Sequence, residues 1–205
     1  MFNDNGMPHD AASQMLTSFV RCLFTLALLV ACHASAAADA AGEISVEIRK
    51  SAGAVIIDAS MQVKADPQNA WKVLIDYDHM AQFLPNLESS KIIEKTGNSM
   101  RVAQKGSISY GPFSMPFESV REIELSPFQQ IRSSAAGGSV TSGEATTRLM
   151  PEGADTWILY HSELVFSVWV PPGIGPHAIE KQIRAQFESL KREIMKRKIN
   201  DINRR

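Results

Sequence analysis

Trp169-Val170-Pro171-Pro172-Gly173-Ile174-Gly175-Pro176 runs directly into His177-Ala178-Ile179-Glu180 and on to Asn200. No regular element crosses the first eight of these residues. Three prolines remove backbone donors and fix φ, and two glycines loosen what lies between. The periodicity then changes. Ile179, Ile183, Phe187, Leu190 and Ile194 follow at steps of four, four, three and four. This is a narrow apolar stripe on a helix, with Glu180, Lys181, Arg184, Glu188 and Lys191 off the stripe. Pro176 suits the first helical position, where its missing N–H costs nothing. The pattern predicts a helix from Pro176 to Ile199, about 36 Å long. A long one-faced helix needs a sheet to bury its stripe.

That sheet is legible upstream. Thr156–Val170 reads as the last and longest strand, with Ile158, Tyr160, Leu164, Phe166 and Val168 in phase. Before it come Val140–Met150 and the short Gln129–Ser134. Phe113–Leu125 puts Phe113, Met115, Phe117, Arg121, Ile123 and Leu125 on one face. Met100–Tyr110 does the same for Met100, Val102, Gln104, Ile108 and Tyr110, and Ser90–Lys95 precedes it. Short turns between consecutive strands predict an antiparallel meander. Further back, Asp66-Pro67 signals a helix start, and Ala70, Trp71, Leu74, Ile75 and Tyr77 give helical spacing. A second short turn, His79–Leu84, stops at Pro85. Ile44, Val46 and Ile48, then Ala54–Lys64, predict an N-terminal hairpin.

The chain has 205 residues, 44% hydrophobic and 21% charged, with a formal net charge of -1. This is ordinary globular composition, with no global field for nucleic acid. Residues 1–36 read as an export signal, 37–42 as a linker, 43–200 as one domain and 201–205 as a basic tail. Arg21, the apolar run Cys22–Ala31 and the small residues Ala34–Ala38 are laid out as in a bacterial signal peptide. The run is short for a membrane span. Met15 is an alternative initiator. A second reading stands beside the first: Leu29-Val30-Ala31-Cys32 is similar to a lipoprotein signal, which would make Cys32 a lipidated N-terminus. The expected location is the periplasm, either free or membrane-anchored. Cys22 and Cys32 are the only cysteines. With that segment removed, no disulfide or cysteine-based metal site remains.

Certain residues carry a resemblance. Val63–Tyr77, Phe83-Leu84-Pro85-Asn86-Leu87 with Ser90, Val102-Ala103-Gln104-Lys105-Gly106 and Gly153–Thr156 resemble the coenzyme Q-binding, polyketide cyclase/dehydrase-like branch of the START-like (SRPBCC) helix-grip superfamily. The resemblance spans roughly Val55 to Lys198. It implies an α+β fold: a curved antiparallel sheet wrapped around a long C-terminal helix, with two short helices after the N-terminal strands. It also implies a cavity between sheet and helix for an apolar ligand, such as a quinone, isoprenoid, fatty acid or polyketide. No cofactor is implied.

The in-phase faces give the candidate pocket residues: Gln104, Phe113, Met115, Phe117, Arg121, Tyr160, Phe166 and Phe187. Each is weighed against a role as plain core. Trp71 and Tyr77 read as core, with a place bordering the pocket mouth as the alternative. Arg121 is the most informative. If it points inward, it needs a carboxylate or a ligand anion, with Glu163 a candidate partner. A twist or bulge would instead return it to water. Gln104 either meets a ligand carbonyl or satisfies a backbone group. His161 and Glu163 share the face opposite Tyr160 and read as solvated. No catalytic triad, phosphate loop or metal-ligand cluster appears.

Lys191, Arg192, Lys196, Arg197, Lys198, Arg204 and Arg205 crowd the C-terminus. They complement the helix dipole or contact anionic lipid headgroups. The expected function is an exported binding protein for a hydrophobic small molecule. The alternatives are a cyclase or dehydrase on the same scaffold, and an interaction module whose cavity is filled.

Overall fold

The structure is a computed structural model, and it describes residues 44–51, 53–110, 113–166 and 176–204. The chain divides into two units, 1–41 and 42–205, and all the described residues belong to the second. The export segment, Cys32, the linker through Glu43, the Trp169–Gly175 stretch and Arg205 lie outside the described residues.

Eight strands form one antiparallel sheet: β1 (Ser45–Ser51), β2 (Ala54–Val63), β3 (Leu87–Thr96), β4 (Ser99–Tyr110), β5 (Phe113–Ser126), β6 (Gln130–Gly138), β7 (Val140–Glu152) and β8 (Asp155–Phe166). Their order is β1-β2-β8-β7-β6-β5-β4-β3. The meander from β3 to β8 is continuous, and the β1–β2 hairpin closes onto β8, with Met61 opposite Ile158. Several strands are longer than the sequence suggested. β3 begins at Leu87, and β6 continues to Gly138. Among the described residues β5 is the longest strand, not β8; positions 167–170 lie outside the description.

Between β2 and β3 lie α1 (Pro67–Leu74) and a 3-10 helix (Tyr77–Gln82). Asp66 caps α1: its Oδ1 accepts from the Asn69 backbone N–H at 2.9 Å, and Pro67 fills the first position. Tyr77 therefore opens the second short helix rather than continuing the first. Ile75 leaves helical geometry, at φ -101 and ψ 0, and the chain turns there.

The C-terminal helix, α2, runs from Pro176 to Asn203. Its backbone comes closest to β1, β2 and α1. Ile194 is fully buried, and Phe187 joins Met61, Val63, Val102, Ile123 and Ile158 in one core. The curved sheet thus grips the helix from the β1–β2 side. Opposite the central strands the two layers stand further apart.

Candidate ligand-binding site

The separation between α2 and the middle of the sheet is a cavity of about 250 Å³. Its origin is a run of small side chains. β6 presents Ser133, and β7 presents Ala145 and Thr147, where the neighbouring strands present Phe117, Ile123, Ile158 and Tyr160. Small residues in the middle of the wall leave room that the helix stripe does not fill. From α2 come Ile183, Gln186, Phe187 and Leu190. The short helices and the loop after them add Leu74, Tyr77, Met80, Leu84, Asn86 and Leu87.

Of the residues singled out from sequence, Gln104, Phe117, Arg121, Tyr160 and Phe187 all line this space. The side chains of Phe113, Met115 and Phe166 lie outside the described part. Tyr160 and Phe187 meet edge to face, with ring centres 6.0 Å apart, which fixes α2 against β8 at one side of the cavity. On the cavity wall, the Gln104 amide meets side chains rather than a backbone group. Its Nε2 donates to Ser90 Oγ at 3.1 Å and lies 3.8 Å from Met80 Sδ. Trp71 is core and sits away from the cavity, its ring 5.9 Å from that of Phe128. Tyr77 is buried and lines the cavity.

Arg121 stays on the inner face although β5 and β6 do slip register beside it. Val120 pairs with Gly137 while Arg121 pairs with Ala135, so the extra residue, Ala136, sits in β6. The β4–β5 ladder runs unbroken from Ser99–Glu124 to Tyr110–Phe113, and alternation in β5 survives. The Arg121 Nε donates to Ser133 Oγ, and Nη2 lies 3.4 Å from the Ser133 carbonyl oxygen. Glu163 is not its partner, because the pleat points Glu163 outward to solvent. His161 is also exposed and pairs with Asp58, Nδ1 to Oδ1 2.7 Å, on the outer face.

Burial drives the Tyr77 hydroxyl well above the ordinary phenol value. The Arg121 cation pulls in the opposite direction, and Tyr160 adds slightly to the rise. Tyr77 is therefore a neutral hydrogen-bonding group at any working pH. Asn86 Oδ1 is buried on the cavity wall and has no hydrogen-bond partner among the described residues. The described lining contains no Asp, Glu, His, Lys or Cys. Among the described residues, no group of three or more His, Cys, Asp or Glu is placed to hold a metal ion.

Sequence reasoning missed Ser133, Ala145, Thr147 and Gln186. The available signal was the in-phase placement of Ser133 two residues after Ile131, and of Ala145 and Thr147 two apart on β7. Small residues on an inward face are where a gap opens.

The basic C-terminus differs from its sequence reading. α2 continues to Asn203, so no cation lies in its last turn and the dipole account does not apply to Lys191–Lys198. Several of these cations have internal partners instead. Arg192 donates to Ser189 Oγ at 2.8 Å, and Lys196 pairs with Glu193 at 3.3 Å. Arg197 donates to Glu193 at 2.8 Å and Asp76 at 2.7 Å, and lies over the Phe83 ring. Lys198 donates to the Lys64 carbonyl.

Residues 63–189 match the family model described as "Polyketide cyclase / dehydrase and lipid transport". No curated protein sequence matches the chain. Solved structures share the fold at low identity. A STAR-related lipid transfer protein from Xanthomonas axonopodis is 14% identical with a TM-score of 0.63, covering 74% of this chain and 93% of its own. A START superfamily protein from Mycobacterium smegmatis is 13% identical with a TM-score of 0.59, covering 69% and 97%. The Zhui aromatase/cyclase from Streptomyces sp. R1128 is 16% identical with a TM-score of 0.55, covering 70% and 95%.

Proposed function

Because the chain belongs to the polyketide cyclase/dehydrase and lipid-transport family of START-like helix-grip proteins, we propose that it is a carrier that holds one small hydrophobic molecule between its sheet and α2. The observation that carries this reading is the make-up of the cavity. Its walls are mostly aliphatic and aromatic, with a few placed polar groups, as ligand pockets are. At about 250 Å³ it lies just below the usual ligand-pocket range of roughly 300–1,000 Å³, which suits a compact guest better than a two-chain lipid. Each Å² of guest surface removed from water contributes about 25 cal/mol before ordering costs.

An enzyme of the cyclase or dehydrase type is the second reading. It is favoured by Tyr77, Tyr160 and Arg121 facing one space. It lacks support in the described lining for a group poised to exchange protons near neutral pH. An interaction module with a filled cavity is supported less, since the space is open.

In this proposal the carrier works in the cell envelope, exported through the 1–36 segment as a soluble periplasmic protein or as a lipoprotein anchored at Cys32. The support is the sequence layout of that segment. Loading or release at an anionic membrane surface belongs to the same proposal. It draws support from Met195 and Ile199, which share a groove along α2 with Ile44, Glu188, Lys191, Arg192 and Lys196.

The test is titration of the full chain with a fluorescent medium-chain fatty acid. Saturable one-to-one uptake supports a carrier. Absence of uptake, together with turnover of a polyketide-like substrate, supports the enzyme.

A further inference from the structure

We infer that the guest carries a carboxylate, held by the Arg121 guanidinium, with its apolar tail lying along Ile123, Phe187 and Leu190. The inference rests on the carrier reading and adds to it the chemical class of the ligand.

Arg121 is the only charged side chain in the described lining. Among the described residues its partners are the hydroxyl and carbonyl of Ser133, both neutral, and no carboxylate pairs with it. The Arg121 guanidinium is partly buried on a wall that also carries Phe117, Ile123 and Tyr160, so it has lost part of its hydration, and neutral acceptors on one edge do not balance its charge. Arginine presents a planar fork whose donors match a carboxylate two by two. Ser133 engages Nε and Nη2, so it orients the fork and leaves Nη1 without a partner among the described residues. Tyr77 supports the same polarity. Its hydroxyl stays neutral beside Arg121, able to donate a further hydrogen bond to an anion.

The arrangement discriminates by charge. A neutral quinone or alcohol could accept a hydrogen bond but would leave the guanidinium uncompensated. An amine would add a second cation. The room available limits length, and a tail of about ten carbons suits a cavity just below the ligand-pocket range. A monocarboxylic acid of that size is the class the site fits.

The experiment compares decanoate, decanol and decylamine on the full chain, by calorimetry or native mass spectrometry. Decanoate is expected to bind at least tenfold more tightly than decanol, and decylamine most weakly. Arg121→Met, of similar volume and without charge, is expected to bring the acid-to-alcohol ratio close to one. Arg121→Lys, which keeps the charge and loses the fork, should leave a reduced preference. Thermal melting checks that each variant folds, and the comparison on the unsubstituted chain stands whether or not they do. Equal binding of acid and alcohol would overturn the carboxylate assignment and leave the carrier reading intact. Binding of none of the three would overturn both.

Discussion

The backbone of Gly106 lies directly against that of Asn86: a Cβ placed on Gly106 would sit 2.0 Å from the Asn86 carbonyl oxygen and 3.0 Å from the Phe117 ring. The contact is fixed by a hydrogen bond from the Ser107 N–H to the same oxygen at 3.0 Å. The loop that carries Asn86 and Leu84 at the cavity wall is thereby held on β4. Gly106→Ala should cost about 3 kcal/mol, at the upper end for overpacking, because backbone must move. It should also weaken ligand uptake. Urea unfolding checks the first and ligand titration the second.

Ala145 stands at the floor of the cavity, and its small side chain is part of why the space exists. Ala145→Leu should extend into open volume rather than into packed neighbours. Its melting temperature should therefore change by no more than a few degrees, while affinity for any guest falls at least tenfold. Calorimetric melting and ligand titration on the same preparation separate the two effects.

Arg197 of α2 pairs with Glu193 one turn away on the same helix and with Asp76 between the two short helices, and the Asp76 pair ties those helices to α2. Burial by itself would raise both carboxyls. Hydrogen bonds from His79 and Arg197 to Asp76, and from Arg197 and Lys196 to Glu193, outweigh it and hold both below the ordinary carboxylate range. A carboxyl depressed in the folded state contributes stability above its unfolded value, about pH 4, and that stability is lost as pH falls through the lower folded value. Asp76→Asn should flatten the acid limb of the stability–pH curve and reduce stability at neutral pH. Denaturant titrations from pH 3 to pH 7 measure both.

Two buried hydroxyls should respond in opposite ways. Ser162 Oγ is buried in β8 with no hydrogen-bond partner among the described residues. Thr156 Oγ1, at the other end of the same strand, donates to the Ala65 carbonyl at 2.7 Å. Ser162→Ala should be neutral or stabilising by up to about 1 kcal/mol. Thr156→Val should cost about 1–2 kcal/mol, since it strands a buried carbonyl. Chemical unfolding of the pair decides it.

Local pattern made most of the fold legible. The Ile179–Ile194 stripe and the alternation in β2, β4, β5 and β8 each reflect burial on one face, which leaves a periodic trace in sequence. Asp66-Pro67 marked α1 through a cap and a proline that act within four residues. An inward Arg121 followed from its phase with Phe117 and Ile123 as one of two readings, the other being a twist or bulge that returns it to water. Its partner did not, because Ser133 reaches it through a non-local pairing whose register is shifted by Ala136. Glu163 failed as a partner for the reason its own phase already gave: it alternates with Ser162 and points to solvent. The cavity's position was equally non-local. Ser133, Ala145 and Thr147 are unremarkable until β6 and β7 are known to lie in the middle of the sheet.

The central claim is that the hollow between sheet and α2 holds a guest. Native mass spectrometry of the full chain, purified gently from a membrane-rich lysate, tests it most directly. The account predicts a one-to-one complex with a small hydrophobic molecule that dissociates on activation and is lost in Ala145→Leu. Protein that is empty in every preparation, or an adduct that persists undiminished in Ala145→Leu, would contradict it.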